Sequence, residues 1–255
     1  MQLDLTPYED KIAAYKNVAP SYLYKWQRCP RMFFYSRIAK EQDRGKVSDV
    51  LVFGNMVHYA MEEYFERRCD GYEAFCNTYH KMAEKYDPLM LAKNVEKARF
   101  AFEWCAWTVY KMITERKVIY LSEQMFKATT PQGNGISGRV DFTIYYPDEM
   151  KFFVIDFKGG FKVPDPEQLI FYKWWIKDRW PKTKEVSLAY LWFAKCQIHE
   201  ATVTEEAEAK LDAEVGSMLA DIHSGKFDPI KGNHCRWCGF KYLCPLFGGK
   251  NGRRG

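Results

Sequence analysis

The sequence has no apolar run approaching the roughly 20 residues that a membrane helix needs, so a spanning protein is not expected. Its first residues, MQLDLTPYEDK, lack the basic-then-apolar layout of a secretory signal. No internal repeat is present, which sets aside solenoids and propellers, and no low-complexity tract apart from the closing GGKNGRRG, expected to be disordered. Helicase motifs are missing too, so any duplex unwinding would have to come from a partner. Nor is there much charge of one sign. The 38 Lys and Arg against 33 Asp and Glu leave +5, compatible with a polyanionic partner without demanding one. These absences lead to the expectation of a soluble, intracellular protein with no membrane partner, cytoplasmic or in a host's cytoplasm if phage-encoded. In such a compartment eight cysteines point to metal or cluster ligation before disulfides. Hydrophobic residues make up 47% of the 255 positions, ample for one large domain or a domain with an appended module.

Two strand-type runs stand out, Gly138–Tyr146 (GRVDFTIYY) and Lys151–Lys158 (KFFVIDFK), flanking Pro147-Asp148-Glu149-Met150. β-Branched and aromatic residues on either side of a polar, Pro-initiated turn read as strand, turn, strand. If those four residues form the loop, Tyr146 pairs with Lys151, and counting back places Asp141 opposite Asp156. Side chains two apart share a face, so Asp156 and Lys158 point one way while Ile155 and Phe157 face the core. Two facing carboxylates are destabilising unless something positive sits between them, and a hard divalent cation beside Lys158 would serve. The geometry depends on register, because a slip of one residue would put the carboxylates on opposite faces.

Upstream, residues 18–40 contain a helical period over Leu23, Trp26 and Gln27, with Ser21 as the expected N-cap and Cys29-Pro30 as the break. Residues 46–68 read as an amphipathic helix with a buried stripe of Val50, Phe53, Val57, Met61, Tyr64 and Phe65. His58 lies beside the stripe, where a histidine taken alone is a core residue. Residues 71–120 are expected to be mostly helical, with Phe75, Tyr79, Met82, Phe100, Phe102, Trp104, Trp107 and Met112 as core or scaffold. Cys69, Cys76 and Cys105 lack ligand-like spacing and are read as structural. Val118–Thr129 should be the strand before the hairpin, carrying Glu123 either as a solvated charge or as a support for the site.

After Lys158, Asp165 as N-cap, Pro166 at N1 and Gln168 at N3 mark a helix start. Gln168 and Tyr172 then share one face. Trp174, Trp175 and Trp180 would pack that helix on the sheet or, alternatively, offer a stacking platform for bases. Val186–Phe193 and His199–Val203 read as further strands, His199 being exposed, and Thr204–Ser224 as a helix ended by Gly225 whose first-turn glutamates form a solvated face. Near the end, Cys235-x₂-Cys238-x₅-Cys244-Pro supplies three ligands that need a fourth. Cys29, also followed by proline, is the candidate. A structural Zn²⁺ held by Cys₄, or by Cys₃His with His234, remains open.

In their order along the chain, Gly54-x₃-His58, Gly138-x₂-Asp141, Asp156-x-Lys158 and Gln168-x₃-Tyr172 resemble the PD-(D/E)xK nucleases of the RecB-like branch. The outer Cys29 and Cys235-x₂-Cys238-x₅-Cys244 resemble that branch's iron–sulfur subgroup, which includes the AddB nuclease domain and the CRISPR-associated exonucleases. The resemblance implies an α/β, restriction-endonuclease-like core with a mixed central sheet flanked by helices, plus a helical N-terminal part and a C-terminal cysteine clasp. It implies catalytic roles for Asp141, Asp156, Lys158, Gln168 and Tyr172. His58, Asp141, Asp156 and the Phe157 carbonyl would ligate Mn²⁺ or Mg²⁺, the imidazole biasing the site toward Mn²⁺, and Cys29, Cys235, Cys238 and Cys244 would ligate one [4Fe–4S] cluster. The expected organisation is 1–45 carrying the first cluster cysteine, 46–230 as nuclease core with a helical insertion, and 231–255 as the cysteine segment and tail. The implied function is a metal-dependent DNA exonuclease acting on single strands or DNA ends, in repair, recombination or CRISPR adaptation, with helicase or recombination/integration proteins as candidate partners. The alternative is a non-catalytic DNA-end-binding or assembly subunit that keeps the fold.

Overall fold

A computed structural model describes residues 3–160 and 166–248. In chain order the elements are α1 (Glu9–Ala13), α2 (Pro20–Arg28), α3 (Pro30–Phe33), α4 (Asp49–Glu66), α5 (Gly71–Ala83), α6 (Pro88–Thr114), β1 (Ile119–Thr129), β2 (Gly135–Tyr146), β3 (Lys151–Lys158), α7 (Glu167–Arg179), β4 (Glu185–Trp192), β5 (Gln197–Ala201) and α8 (Glu205–His223). They divide into two compact units, one drawn from Met1–Lys46, Thr129–Ser137 and Glu205–Gly255, the other from Val47–Ala128 and Gly138–Thr204. Among the described residues no helix is long and apolar enough to cross a membrane.

In the second unit the strands follow in the order β1-β2-β3-β4-β5 within one mixed sheet. β2 and β3 pair antiparallel from Tyr146 opposite Lys151 to Phe142 opposite Ile155, which brings Asp141 and Asp156 to the end of the paired stretch. The turn between them is a 3₁₀ turn over Pro147–Glu149, closed by Met150 in the left-handed region at φ 49°. β3 and β4 pair parallel through a crossover that contains α7, and β4 and β5 pair antiparallel. Ile155 and Phe157 join α4, α5 and α6 in one core through Phe53, Val57, Met61, Phe65 and Phe102. α7 lies against β3 and β4. Trp174 and Trp175 are 3% and 5% exposed and Trp180 packs on Phe152, so the helix is a structural layer and none of its tryptophans offers a free face for bases.

The first unit is built on aromatic contacts. Phe33 meets Tyr15, Tyr22 and Trp26 edge-on, and Phe227 packs on Phe34 and Trp26. Buried Asp212 on α8 holds the 130–134 turn by accepting from Thr130 Oγ1, the Gln132 amide (2.9 Å) and Asn134 Nδ2 (2.8 Å). α8 ends at Gly225, whose φ of +70° suits a residue without Cβ.

Several expectations need correction. α2 starts at Pro20 with Ala19 as N-cap, because proline at N1 fixes the start one residue before Ser21 can cap it. On α4 the N-cap is Ser48, which accepts from the Leu51 amide, and Val50 is 45% exposed. Val52, Met56 and Ala60 complete the buried stripe, with Tyr64 only partly covered. Phe100 and Trp107 stand 65% and 61% exposed on α6, whose outward face a long helix leaves to solvent. α7 begins at Glu167 with Pro166 as N-cap, so Gln168 is at N2 and closes no capping box. The expected cap at Asp165 and the tail beyond Gly248 lie outside the described residues.

Candidate active site

Gly138 admits the motif's close approach: a Cβ there would meet the Phe126 ring at 2.7 Å, and one at Gly159 would meet Phe193 at 2.6 Å. With the register fixed, Asp141 Oδ2 accepts the Phe157 amide at 2.8 Å, tying the two strand ends together. His58 reaches the same place from α4. Its Nε2 lies 3.1 Å from the Phe157 carbonyl and its Nδ1 3.7 Å from Asp141 Oδ2. A carbonyl only accepts, so Nε2 donates to it, and Nδ1 faces the carboxylate. Glu123 completes the cluster. Among the described residues His58, Glu123 and Asp141 form the one group of three or more ligand-type side chains whose donor atoms all lie within 4.8 Å of one another.

Asp156 sits beside this cluster, fully buried. Its Oδ2 is 2.5 Å from Lys158 Nζ yet receives no aligned hydrogen bond, and its Oδ1 faces the Tyr172 hydroxyl at 3.2 Å. Lys158 Nζ also donates to Gln168 Oε1 (2.8 Å), and Gln168 Nε2 donates to the Tyr172 hydroxyl (2.6 Å). The structure thus gathers His58, Asp141, Asp156, Phe157, Lys158, Gln168 and Tyr172 in one unit. It pairs Asp156 with Lys158 and groups Asp141 with His58 and Glu123, a division that strand spacing alone did not suggest.

Electrostatics explains the division. Burial pushes Asp156 up to about 6, with Lys158 opposing and Asp141 adding to the rise. Glu123 is pushed up to about 8 by burial and then by Asp141, against the pull of Arg139. Burial works against the Lys158 ammonium, but Asp156 and Asp141 outweigh it and its pKa is raised. Tyr172 is held well above its ordinary value by burial and then by the carboxylates, so it remains a phenol. Crowded carboxylates whose pKa values burial raises, an imidazole nitrogen facing one of them and a buried carboxylate oxygen with no aligned hydrogen bond make a donor set that fits a divalent cation. Two participants were missed by sequence reasoning. Arg139 bridges Glu123 (2.6 Å) and Glu62 (2.9 Å). Glu62 had a signal, since it stands four residues after His58 on one helix face; Arg139 had none beyond its place in Gly-Arg-Val-Asp.

In the first unit, Cys29, Cys235, Cys238 and Cys244 all line one cavity, together with Arg31, Tyr35 and Phe240. All four are free thiols. Each sulfur has a backbone N–H nearby: Ile230 to Cys29 (3.4 Å), Gly232 to Cys235 (3.5 Å), Phe240 to Cys238 and Leu246 to Cys244. His234 Nε2 donates to the Ile230 carbonyl at 3.1 Å, and lies 3.7 Å from Cys235 Sγ. Cys69, Cys76, Cys105 and Cys196 are free thiols as well and line no part of this cavity.

A five-stranded mixed sheet flanked by helices, with a carboxylate–lysine pair at the end of its central strand, defines a restriction-endonuclease-like fold. The family model for the PD-(D/E)XK nuclease superfamily matches residues 17–245, and the chain belongs to that superfamily of metal-dependent nucleases. A crystal structure from Eubacterium rectale named "Putative exonuclease" is similar over 100% of this chain and 96% of its own, with a TM-score of 0.60 and 12% identity. A second solved structure, SSO0001, covers 95% of this chain and 94% of its own at 17% identity and a TM-score of 0.41. No curated protein matches the chain by sequence.

Proposed function

We propose that this chain is a DNA exonuclease of the RecB-like branch, acting on single-stranded DNA or DNA ends with Mn²⁺ or Mg²⁺. One observation carries the reading. Lys158 Nζ is held between Asp156 and Gln168, next to a His58–Glu123–Asp141 cluster that a cation would satisfy. The cation would be held by His58 Nδ1, Glu123 and Asp141, with Asp156 as the further carboxylate and the Phe157 carbonyl fixing the imidazole. When bound, it supplies Lewis-acid polarisation of the scissile phosphate. Lys158, charged at neutral pH, orients the attacking water or stabilises negative charge developing on phosphate oxygens. Gln168 and Tyr172 hold that ammonium and the Asp156 carboxylate in place. The strand is engaged through its phosphates, so affinity falls as salt rises, and unwinding is left to helicase or recombination/integration partners.

The cysteine cavity supports a [4Fe–4S] cluster over a single zinc ion. Four sulfurs around one tetrahedral Zn²⁺ at about 2.3 Å would lie roughly 3.8 Å apart. No three ligand atoms in this cavity approach within 4.8 Å of one another among the described residues. A wider set of thiols suits a cuboidal cluster.

The test is cleavage of end-labelled single-stranded DNA with Mn²⁺. Lys158→Ala is expected to lower turnover by on the order of 10²–10³-fold, the scale for losing one preorganised donor, with the circular dichroism and metal content unchanged. Full activity in that variant refutes the assignment, and a wild-type protein that binds DNA ends without cutting them favours a non-catalytic end-binding subunit.

A further inference from the structure

Arg31 is only 4% exposed. Its Nε donates to the Phe227 carbonyl at 2.7 Å, but Nη1 is buried with no hydrogen-bond partner. Among the described residues no carboxylate lies within ion-pair distance of it, although guanidinium cannot shed its charge by deprotonation. A buried cation in that condition is costly, and native chains supply a counter-charge. The side chain lines the cavity that holds Cys29, Cys235, Cys238 and Cys244. Apart from the cysteines, no side chain lining the cavity can supply a negative charge: Lys241 adds a second cation, the Tyr35 hydroxyl bonds to the Leu243 carbonyl, and backbone amides already face sulfur. The missing negative charge is one the cysteines acquire on ligation, since thiolate is the form that binds metal.

We propose that Arg31 is the charge-compensating residue of the cysteine-held centre: its guanidinium stabilises the anionic thiolate set, and in return the bound centre relieves an otherwise unpaired buried cation. Retention of the centre and the folding of this unit are therefore linked. This rests on the reading that the four cysteines hold a metal centre.

The experiment uses the full chain as wild type, Arg31→Lys and Arg31→Met, with iron and zinc content, loss of the centre's visible absorbance under a chelator, and melting of loaded and stripped protein. Arg31→Met is expected to lose its centre about 10- to 100-fold faster, the usual cost of removing an outer partner of a metal ligand, and Arg31→Lys to stay near wild type. Stripped Arg31→Met is expected to melt no lower than stripped wild type, because the unpaired cation is gone. Equal rates of loss, or an equal drop in melting temperature in both forms, would overturn the proposal and leave Arg31 as a packing residue. If Arg31→Met does not fold, Arg31→Gln, which keeps a donor for Phe227 without the charge, is read the same way. A folded wild type with neither iron nor zinc would instead defeat the cysteine reading, and the proposal with it.

Discussion

Around Asp141 and Asp156 most charged atoms already have partners within the chain, whereas around the four cysteines the sulfurs have little besides backbone N–H groups. Lys158 neutralises Asp156, Gln168 and Tyr172 brace the pair, and Arg139 takes Glu123. These side chains stand on long strands and helices that a shared apolar core holds in register. Cys235 sits in the 3₁₀ turn Asn233–Arg236, Cys238 in irregular chain after it, Cys244 at the N-cap of the 3₁₀ turn Pro245–Phe247, and Cys29 at a helix junction. The difference teaches which site needs its occupant. A site on packed regular structure has its shape fixed by the core around it, while a site on turns would owe more of its shape to the centre proposed for it.

The sharpest way to break that comparison is to remove one ligand from each site. Cys238→Ser is expected to abolish the visible chromophore and to lower the melting transition of its unit by about 10 °C, the shift that a loss of 3–4 kcal/mol gives in a chain of this size. Asp141→Asn should leave melting near wild type while activity disappears. Differential scanning calorimetry of both variants decides the matter. If Asp141→Asn proves the less stable of the two, the comparison is inverted.

A second measurement sharpens it through pH. Asp156, ordinarily near 3.8, stands at about 6, and Glu123, ordinarily near 4.5, at about 8. Both folded-state values are raised, so between those limits the folded protein binds more protons than the unfolded chain. The stability these groups contribute is complete below about pH 4 and is lost as pH rises through 6 and then 8. A cation that binds their ionised forms restores it. The rise in melting temperature on adding Mn²⁺ is therefore expected to be larger at about pH 8.5 than at about pH 5. A rise independent of pH would mean that the ion sits elsewhere.

What the sequence disclosed follows from where periodicity governs. The hairpin register was legible because a four-residue polar turn between alternating strands leaves one pairing that keeps Ile155 and Phe157 inside, and β3 and β2 have that pairing. α4 was legible as a helix and most of its stripe as core, but Val50 was wrongly assigned to it, since apolar residues near a helix start satisfy the pattern without reaching the core. Phe100 and Trp107 misled for the same reason on a 27-residue helix. Glu123 escaped a definite role because its φ of 50° breaks the alternation of β1 at that residue, so counting along the strand cannot say which way it points. Arg139 was invisible because its two partners come from α4 and β1, far apart in sequence.

The finest test concerns how much of the carboxylate site's order is built into its neighbours. Gln168 is the link between Lys158 and Tyr172, accepting from one and donating to the other. Tyr172 has a single proton to give, which it can direct to Asp156 Oδ1 or to the Arg139 carbonyl at 3.0 Å, and Gln168 occupies its lone pair in either case. Gln168→Ala removes a hydrogen bond to a charged group, worth roughly 1.5–3 kcal/mol, but leaves the Asp156–Lys158 pair intact. Turnover should fall about tenfold with melting lowered by several degrees, on the order of 3–10 °C, and unchanged Mn²⁺ dependence, with Gln168→Glu failing to restore turnover because a second anion would draw Lys158 away from Asp156. A loss as large as that of Lys158→Ala would mean that Gln168 itself touches the reacting strand, and the brace assigned to it here would be a contact with substrate.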